Sequence, residues 1–146
     1  MTRLMRFALV TAGLVLHADA IASDLDPERL TAQEWRLFSD VFPMPPGDGY
    51  RVRLHGDGTV QTANLALVAR WKLYGGTEVE FQAQDGTTLW TFRWYPEKTL
   101  LISCPRSAGA PVPPVVLAPI GSTLASVSDG LKELGLYRCR KEADRP

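Results

Sequence analysis

From Tyr50 to Tyr95 the chain reads YRVRLHGDGTVQTANLALVARWKLYGGTEVEFQAQDGTTLWTFRWY, and the alternation in this stretch decides the fold. Tyr50, Val52 and Leu54 fall on one face, with Arg51, Arg53 and His55 on the other. A period of two belongs to a half-buried strand. Asp57-Gly58 follows, a favoured pair for a two-residue hairpin turn, which sets Leu54 opposite Gln61, Val52 opposite Ala63 and Tyr50 opposite Leu65. The apolar face then continues through Leu67, Ala69, Trp71 and Leu73. At Gly75-Gly76, a three-residue loop over Tyr74, Gly75 and Gly76 keeps Val79, Phe81 and Ala83 on that face. A one-residue slip would exchange the faces. The same loop sets Lys72 opposite Glu78 and Arg70 opposite Glu80, favourable cross-strand pairs. Asp85-Gly86 predicts another two-residue turn, bringing Phe81 to Trp90 and Val79 to Phe92, with Trp94 continuing the row.

Beyond Tyr95, the segment TLLISC places Leu100 and Ile102 on one face and Leu101 on the other. A strand apolar on both sides is covered on both sides. Residues 122–134 supply the cover: Leu124, Val127, Leu131 and Leu134 recur at helical spacing, with Ser122 as cap and Gly135 as left-handed terminator. A final short strand, LYRCR at 136–140, carries Cys139 toward Cys104. Two proline-rich stretches flank the core. PMPP at 43–46 leads into the first strand, and a crossing at 105–119 is too proline-rich for regular ladder structure. The segment LTAQEWRLFSDVF is read as a helix opened by a Thr31/Glu34 capping box; Trp35, Leu37 and Ser39 also allow a short strand.

The expected fold is therefore α+β and mostly β: an antiparallel meander of about five strands, a C-terminal helix on one face and a final short strand. A tryptophan near the start followed by a long meander also resembles small lipocalin-like barrels. That resemblance implies a closed barrel as the alternative to an open sheet, and the two-sided strand favours the open sheet.

The first twenty residues point to a compartment. Arg3 and Arg6 precede an uncharged run from Phe7 to Leu16, and Ala18-Asp19-Ala20 or Ala20-Ile21-Ala22 follows. This is the three-part pattern of a secretory signal peptide, cleaved after Ala20 or Ala22. One domain over residues 21–146 would then be free in the periplasm or outside the cell, with no stable membrane insertion. Cleavage after Ala20 leaves 14 basic and 15 acidic side chains. A nearly neutral surface has no general pull toward nucleic acid. The two cysteines, Cys104 and Cys139, are expected to form a disulfide, as an even count in an exported chain favours.

Chemistry-bearing motifs are sparse. Without His17, which leaves with the leader, His55 is the single histidine, so a histidine-based metal shell or triad has one candidate. There is no G-x-S-x-G elbow and no phosphate-binding loop. Asp24 and Asp26 lack the remaining ligands of a calcium loop and precede a helix instead. Neither a cofactor nor a metal is expected, and no residue is assigned as catalytic. Three functional readings follow. The leading one is a non-enzymatic envelope or periplasmic binding protein of the inhibitor, immunity or assembly-factor type, with Tyr74, Arg93 and Tyr95 as a partner-binding patch and another exported protein as partner. The second is a carrier of a small apolar ligand, its cavity lined by Trp71, Phe81, Trp90, Phe92 and Trp94. The third is a small hydrolase using His55.

Overall fold

A computed structural model describes residues 24–39, 49–62, 67–104, 113–136 and Cys139. Within them lie a short helix α1 (Pro27–Thr31) and the strands β1 (Glu34–Phe38), β2 (Tyr50–Leu54) and β3 (Val60–Thr62). These are followed by β4 (Arg70–Tyr74), β5 (Glu78–Gln82), β6 (Thr88–Tyr95), β7 (Leu100–Ser103) and β8 (Val115–Pro119), and then by helix α2 (Leu124–Glu133). The expected leader and its cleavage site fall in residues 1–23, outside the described residues.

The eight strands form one antiparallel sheet in the order β3-β2-β1-β8-β7-β6-β5-β4. Apart from β3 and β4, which stand at its two ends, each strand therefore lies beside its neighbours in sequence, and β8 pairs with β1. The two ends of the sheet meet through a bridge between Thr59 and Arg70. Val60 N–H donates to Ala69 O at 3.0 Å and Trp71 N–H to Gly58 O at 3.0 Å, reinforcing the seam. The result is a nearly closed up-and-down barrel rather than the favoured open sheet, with eight strands where about five were expected. An eight-stranded barrel has an interior just wide enough for side chains to fill.

Three local expectations shift by a residue, each through a turn. At the first hairpin, His55 N–H donates to Thr59 O and Gly58 N–H to His55 O, both at 3.0 Å. The loop is therefore three residues long, with Gly58 at φ +85°. The Asp57 carboxylate draws it tight, accepting from the Thr59 backbone at 3.0 Å and its hydroxyl at 2.6 Å. Leu54 consequently faces Val60, and Val52 faces Thr62, in place of Gln61 and Ala63. The expected Tyr50–Leu65 pair lies outside the described residues. Nor does one strand run on to Leu73. The chain leaves β3 at Thr62 and resumes as β4 on the other edge, with Leu67 exposed and Val68 buried.

At the glycine pair the loop is Gly75–Thr77, one step further than expected, because both glycines take positive φ and Thr77 N–H donates back to Tyr74 O. Its odd length keeps the faces as expected, but Lys72 faces Glu80 and Arg70 faces Gln82. The Asp85 hairpin is again three residues long: Ala83 N–H donates to Thr87 O at 2.8 Å and Gly86 has φ +87°. Phe81 still meets Trp90 and Val79 still meets Phe92, because a bulge beside Phe81 absorbs the extra residue.

Two segments read as non-strand are strands. LTAQEWRLFSDVF divides into α1 and β1. Asp26 caps the helix by accepting from Arg29 N–H at 2.7 Å, and Pro27 occupies its first turn. The Thr31 hydroxyl bonds to Pro27 O at 2.9 Å instead of starting a helix. β1 then pairs with both β2 and β8 and sends Trp35 and Leu37 into the barrel, so long-range pairing overrides local helix preference. The proline-rich crossing ends in β8, whose Val115–Ala118 run carries backbone N–H groups and pairs on both sides. Its prolines flank that run.

The two-sided strand β7 behaves as read. Leu101 joins the barrel core, whereas Leu100 and Ile102 join a second apolar cluster outside it with Val127 and Leu131 of α2. Thus the helix covers the outside of a barrel, and both architectural readings are partly realised. Thr123, not Ser122, caps α2, with reciprocal bonds to Ser126 at 3.1 and 2.9 Å. At the other end Gly135 has φ +69°, and Leu136 N–H donates to Leu131 O at 2.8 Å, a Schellman closure. Gly130 faces the sheet, where a Cβ would lie 3.1 Å from Leu100 Cδ1. That close approach accounts for a glycine in mid-helix. Cys104 and Cys139 are joined as expected, their Cα atoms 5.4 Å apart. Of the expected last strand, Tyr137, Arg138 and Arg140 lie outside the described residues.

Candidate binding surfaces of the barrel

Strand alternation sends the expected aromatic row inward. Trp71, Phe81, Phe92 and Trp94 are buried in a single cluster that spans the barrel, and half-buried Trp90 packs against it. The Phe81 and Phe92 rings meet edge to face at 5.0 Å, and Trp90 and Phe92 are tilted together at 6.3 Å. Such contacts are those of a packed aromatic core. The indole N–H groups are individually placed. Trp35 donates to Leu30 O and Trp71 to His55 O, each at 2.9 Å. Trp94 Nε1 is buried with no hydrogen-bond partner, and the Arg29 guanidinium lies over its ring at 4.9 Å.

The three residues read as a partner patch are not equivalent. Tyr74 faces Glu78, and Glu78 faces Arg93, so Tyr74 and Arg93 share one row across β4, β5 and β6. Tyr74 is 44% exposed, and Arg93 is exposed too. Tyr95 is half-buried against the outer cluster, which includes Val127 and Leu131 of α2. Two of the three therefore form a surface, and the third helps seat α2. Beside them Glu80 accepts from Gln82 Nε2 at 2.6 Å and Thr88 Oγ1 at 2.8 Å. Those bonds, led by Gln82 and assisted by the charge of Lys72, hold its carboxyl below the ordinary glutamate range. An ionised, well-bonded carboxylate suits a structural role on the sheet.

His55 ends β2 half-buried, with Nε2 3.2 Å from Gln61 Oε1. Next to it, the Thr59 hydroxyl and backbone N–H lower the pKa of Asp57. Among the described residues no group of three or more His, Cys, Asp or Glu is placed to hold a metal ion, and no helix is long and apolar enough to cross a membrane.

Half of one cluster went unread in the sequence. Arg51 and Arg53 share the outer face of β2, as alternation predicts, but pairing with β1 adds Glu34 and Arg36 beside them. Glu34 Oε1 lies 3.2 Å from Arg36 Nη2 and 3.7 Å from Arg51 Nε. Reading LTAQEWRLFSDVF as helix hid this. The strand alternative noted at Trp35, Leu37 and Ser39 is the signal that would have found it, since it turns Glu34 and Arg36 outward together.

No protein-family model matches the chain, and neither a curated protein nor a solved structure does.

Proposed function

We propose that the chain is an exported, non-enzymatic binding protein of the periplasm or cell envelope, acting through contacts between its outer surface and another protein. An inhibitor, an immunity protein or an assembly factor would each use such a scaffold. The observation that carries this reading is the filled barrel: the aromatic row lies ring against ring in one buried cluster, which leaves the outer face for recognition. The Cys104–Cys139 disulfide is of the kind typical of exported proteins, and it agrees with a leader cleaved after Ala20 or Ala22. Tyr74 and Arg93 are the first surface candidates, since Tyr and Arg are over-represented at interfaces. The test is affinity capture from periplasmic and envelope fractions with the oxidised chain and a Tyr74→Ala, Arg93→Ala variant. A partner retained by the first and lost by the second supports the reading; a wild-type chain that captures nothing overturns it.

One observation favours a carrier instead. The buried Trp94 indole N–H lacks an acceptor, and a ligand carbonyl or carboxylate would provide one. Native mass spectrometry of protein purified from its own compartment decides this: a bound small molecule supports the carrier, and the bare chain mass counts against it.

A further inference from the structure

We infer that the outer face of β1 and β2 docks an extended acidic segment of a partner protein, an inference that gives the binding reading its partner chemistry and rests on it. Register places Arg36 opposite Arg51 and Glu34 opposite Arg53. Three guanidinium groups and one carboxylate thus share two adjacent strands. The Glu34 carboxylate lies between Arg36 and Arg51, so the cluster retains an excess of two positive charges.

The rest of the described sheet is balanced differently. Lys72 faces Glu80 and Arg93 faces Glu78 on the outside of β4, β5 and β6, and Arg70 faces the neutral Gln82, so three cations meet two carboxylates there. In a chain whose formal net charge is zero, the larger cationic excess therefore lies on β1 and β2. Its side chains are also graded. Arg36 is only 14% exposed and held by Glu34, whereas Arg51 is 68% exposed and Arg53 is exposed as well. The inner guanidinium anchors the field, and the outer two are open to ligand. Arginine presents a planar fork that matches carboxylate oxygens in pairs, which lysine does not.

Spacing names the partner. Arg51 and Arg53 are alternate residues of one strand, so their Cα atoms stand ~7 Å apart. An extended acidic segment with a carboxylate at every second position presents its charges at that same repeat. A flat run of such a segment along β2 meets one fork per carboxylate, and Arg36 adds to the field from the neighbouring strand.

The probe is a synthetic peptide of alternating Glu and Thr, compared with its Gln-Thr counterpart and with phosphatidylglycerol vesicles, titrated into the oxidised chain at low salt. The acidic peptide is expected to bind, the Gln peptide not to. Arg51→Glu with Arg53→Glu should weaken the binding about tenfold or more, while Arg70→Glu with Lys72→Glu, the same charge change on the outer face of β4, should weaken it less than about twofold. Both pairs are exposed, and circular dichroism checks that each variant folds. Equal loss in the two variants reduces the effect to bulk charge and overturns the inference. Tighter binding to vesicles than to peptide moves the partner to lipid and overturns it as well. The capture experiment separates this idea from the reading beneath it. A partner still retained by the Arg51→Glu, Arg53→Glu variant removes this surface and leaves the binding reading standing. A wild-type chain that captures no protein removes the binding reading, whatever the peptide does.

Discussion

Truncating Phe92 to alanine tests whether the barrel interior is a core or a cavity. Phe92 is completely buried, meets Phe81 edge to face at 5.0 Å and touches the tilted ring of Trp90 at 6.3 Å. Removing a buried phenylalanine from a packed core costs about 3–5 kcal/mol, combining lost transfer energy with the void left behind. The lost edge-to-face contact contributes about 0.5–1.5 kcal/mol within the measured effect. Against the typical stability of a small domain, about 5–15 kcal/mol, that is at least about a fifth of the whole. If the ring lined an open ligand cavity instead, fewer contacts would be lost and the cost would fall near 1 kcal/mol. The assay is urea unfolding of the oxidised protein followed by tryptophan fluorescence, with Phe81→Ala and the double variant completing a cycle. The packed-core argument predicts a large shift in midpoint and a coupling between Phe81 and Phe92 of at least about 0.5 kcal/mol. A loss below about 1 kcal/mol with no coupling would falsify it and reopen the carrier reading.

Three further perturbations follow from the same geometry. Reducing the Cys104–Cys139 bridge, whose partners are 35 residues apart, should lower stability by about 4 kcal/mol on chain-entropy grounds; urea midpoints with and without reductant check it. Gly58→Ala should destabilise by roughly 1–2 kcal/mol because Gly58 sits at φ +85°, where a side chain is strained. Gly56→Ala, with open space around it and no positive φ, should be close to neutral, and thermal melts of the two variants check the contrast. Hydrogen bonds, chiefly from Gln82 to Glu80 and from threonines to Asp57 and Asp85, depress these carboxyl pKa values. Their stabilisation is therefore complete above the ordinary carboxylate range and is lost as pH falls through the folded values. A urea-midpoint series from neutral to acid pH should fall less steeply in Glu80→Gln than in the wild type, and parallel curves would refute the assignment.

How much of the fold the sequence disclosed depended on whether the deciding contact was local. Alternation put Val52, Leu54, Trp71, Phe81, Phe92 and Trp94 on one face, and each is buried. β-branched and aromatic residues at period two need no distant information. Turn length was less visible. Both Asp-Gly pairs suit a two-residue turn by composition, yet each aspartate bonds to the threonine two residues on, and that draws in a third loop residue. At Asp85 a bulge restored the expected pairs, while at Asp57 nothing did, so β3 presents Val60 and Thr62 where Gln61 and Ala63 were expected. Barrel closure was legible only as the alternative to an open sheet, for a different reason: it depends on β8 finding β1 across most of the chain. A four-residue apolar run hemmed by prolines shows no sign of being central until both of its neighbours are known.

The candidate surfaces divide along the same line. Tyr74, Arg93 and Tyr95 were placed on the outer face by alternation alone, and all three are there. What alternation cannot see is a second layer, so Tyr95 proved to be half-buried against the cluster that α2 covers. The arginine cluster shows the converse. Arg51 and Arg53 looked like the wet face of one strand, because a strand considered by itself has no neighbours. Their character changes once β1 lies alongside, since Arg36 raises the local charge and Glu34 fixes how two of the guanidiniums are held. A sheet surface is a property of paired strands, and each of its charges takes its meaning from the residue across the ladder. The acidic-segment test is aimed at that cross-strand pattern: a variant that changes charge on β4 leaves the pattern intact, and only a response confined to Arg51 and Arg53 makes the cluster a site.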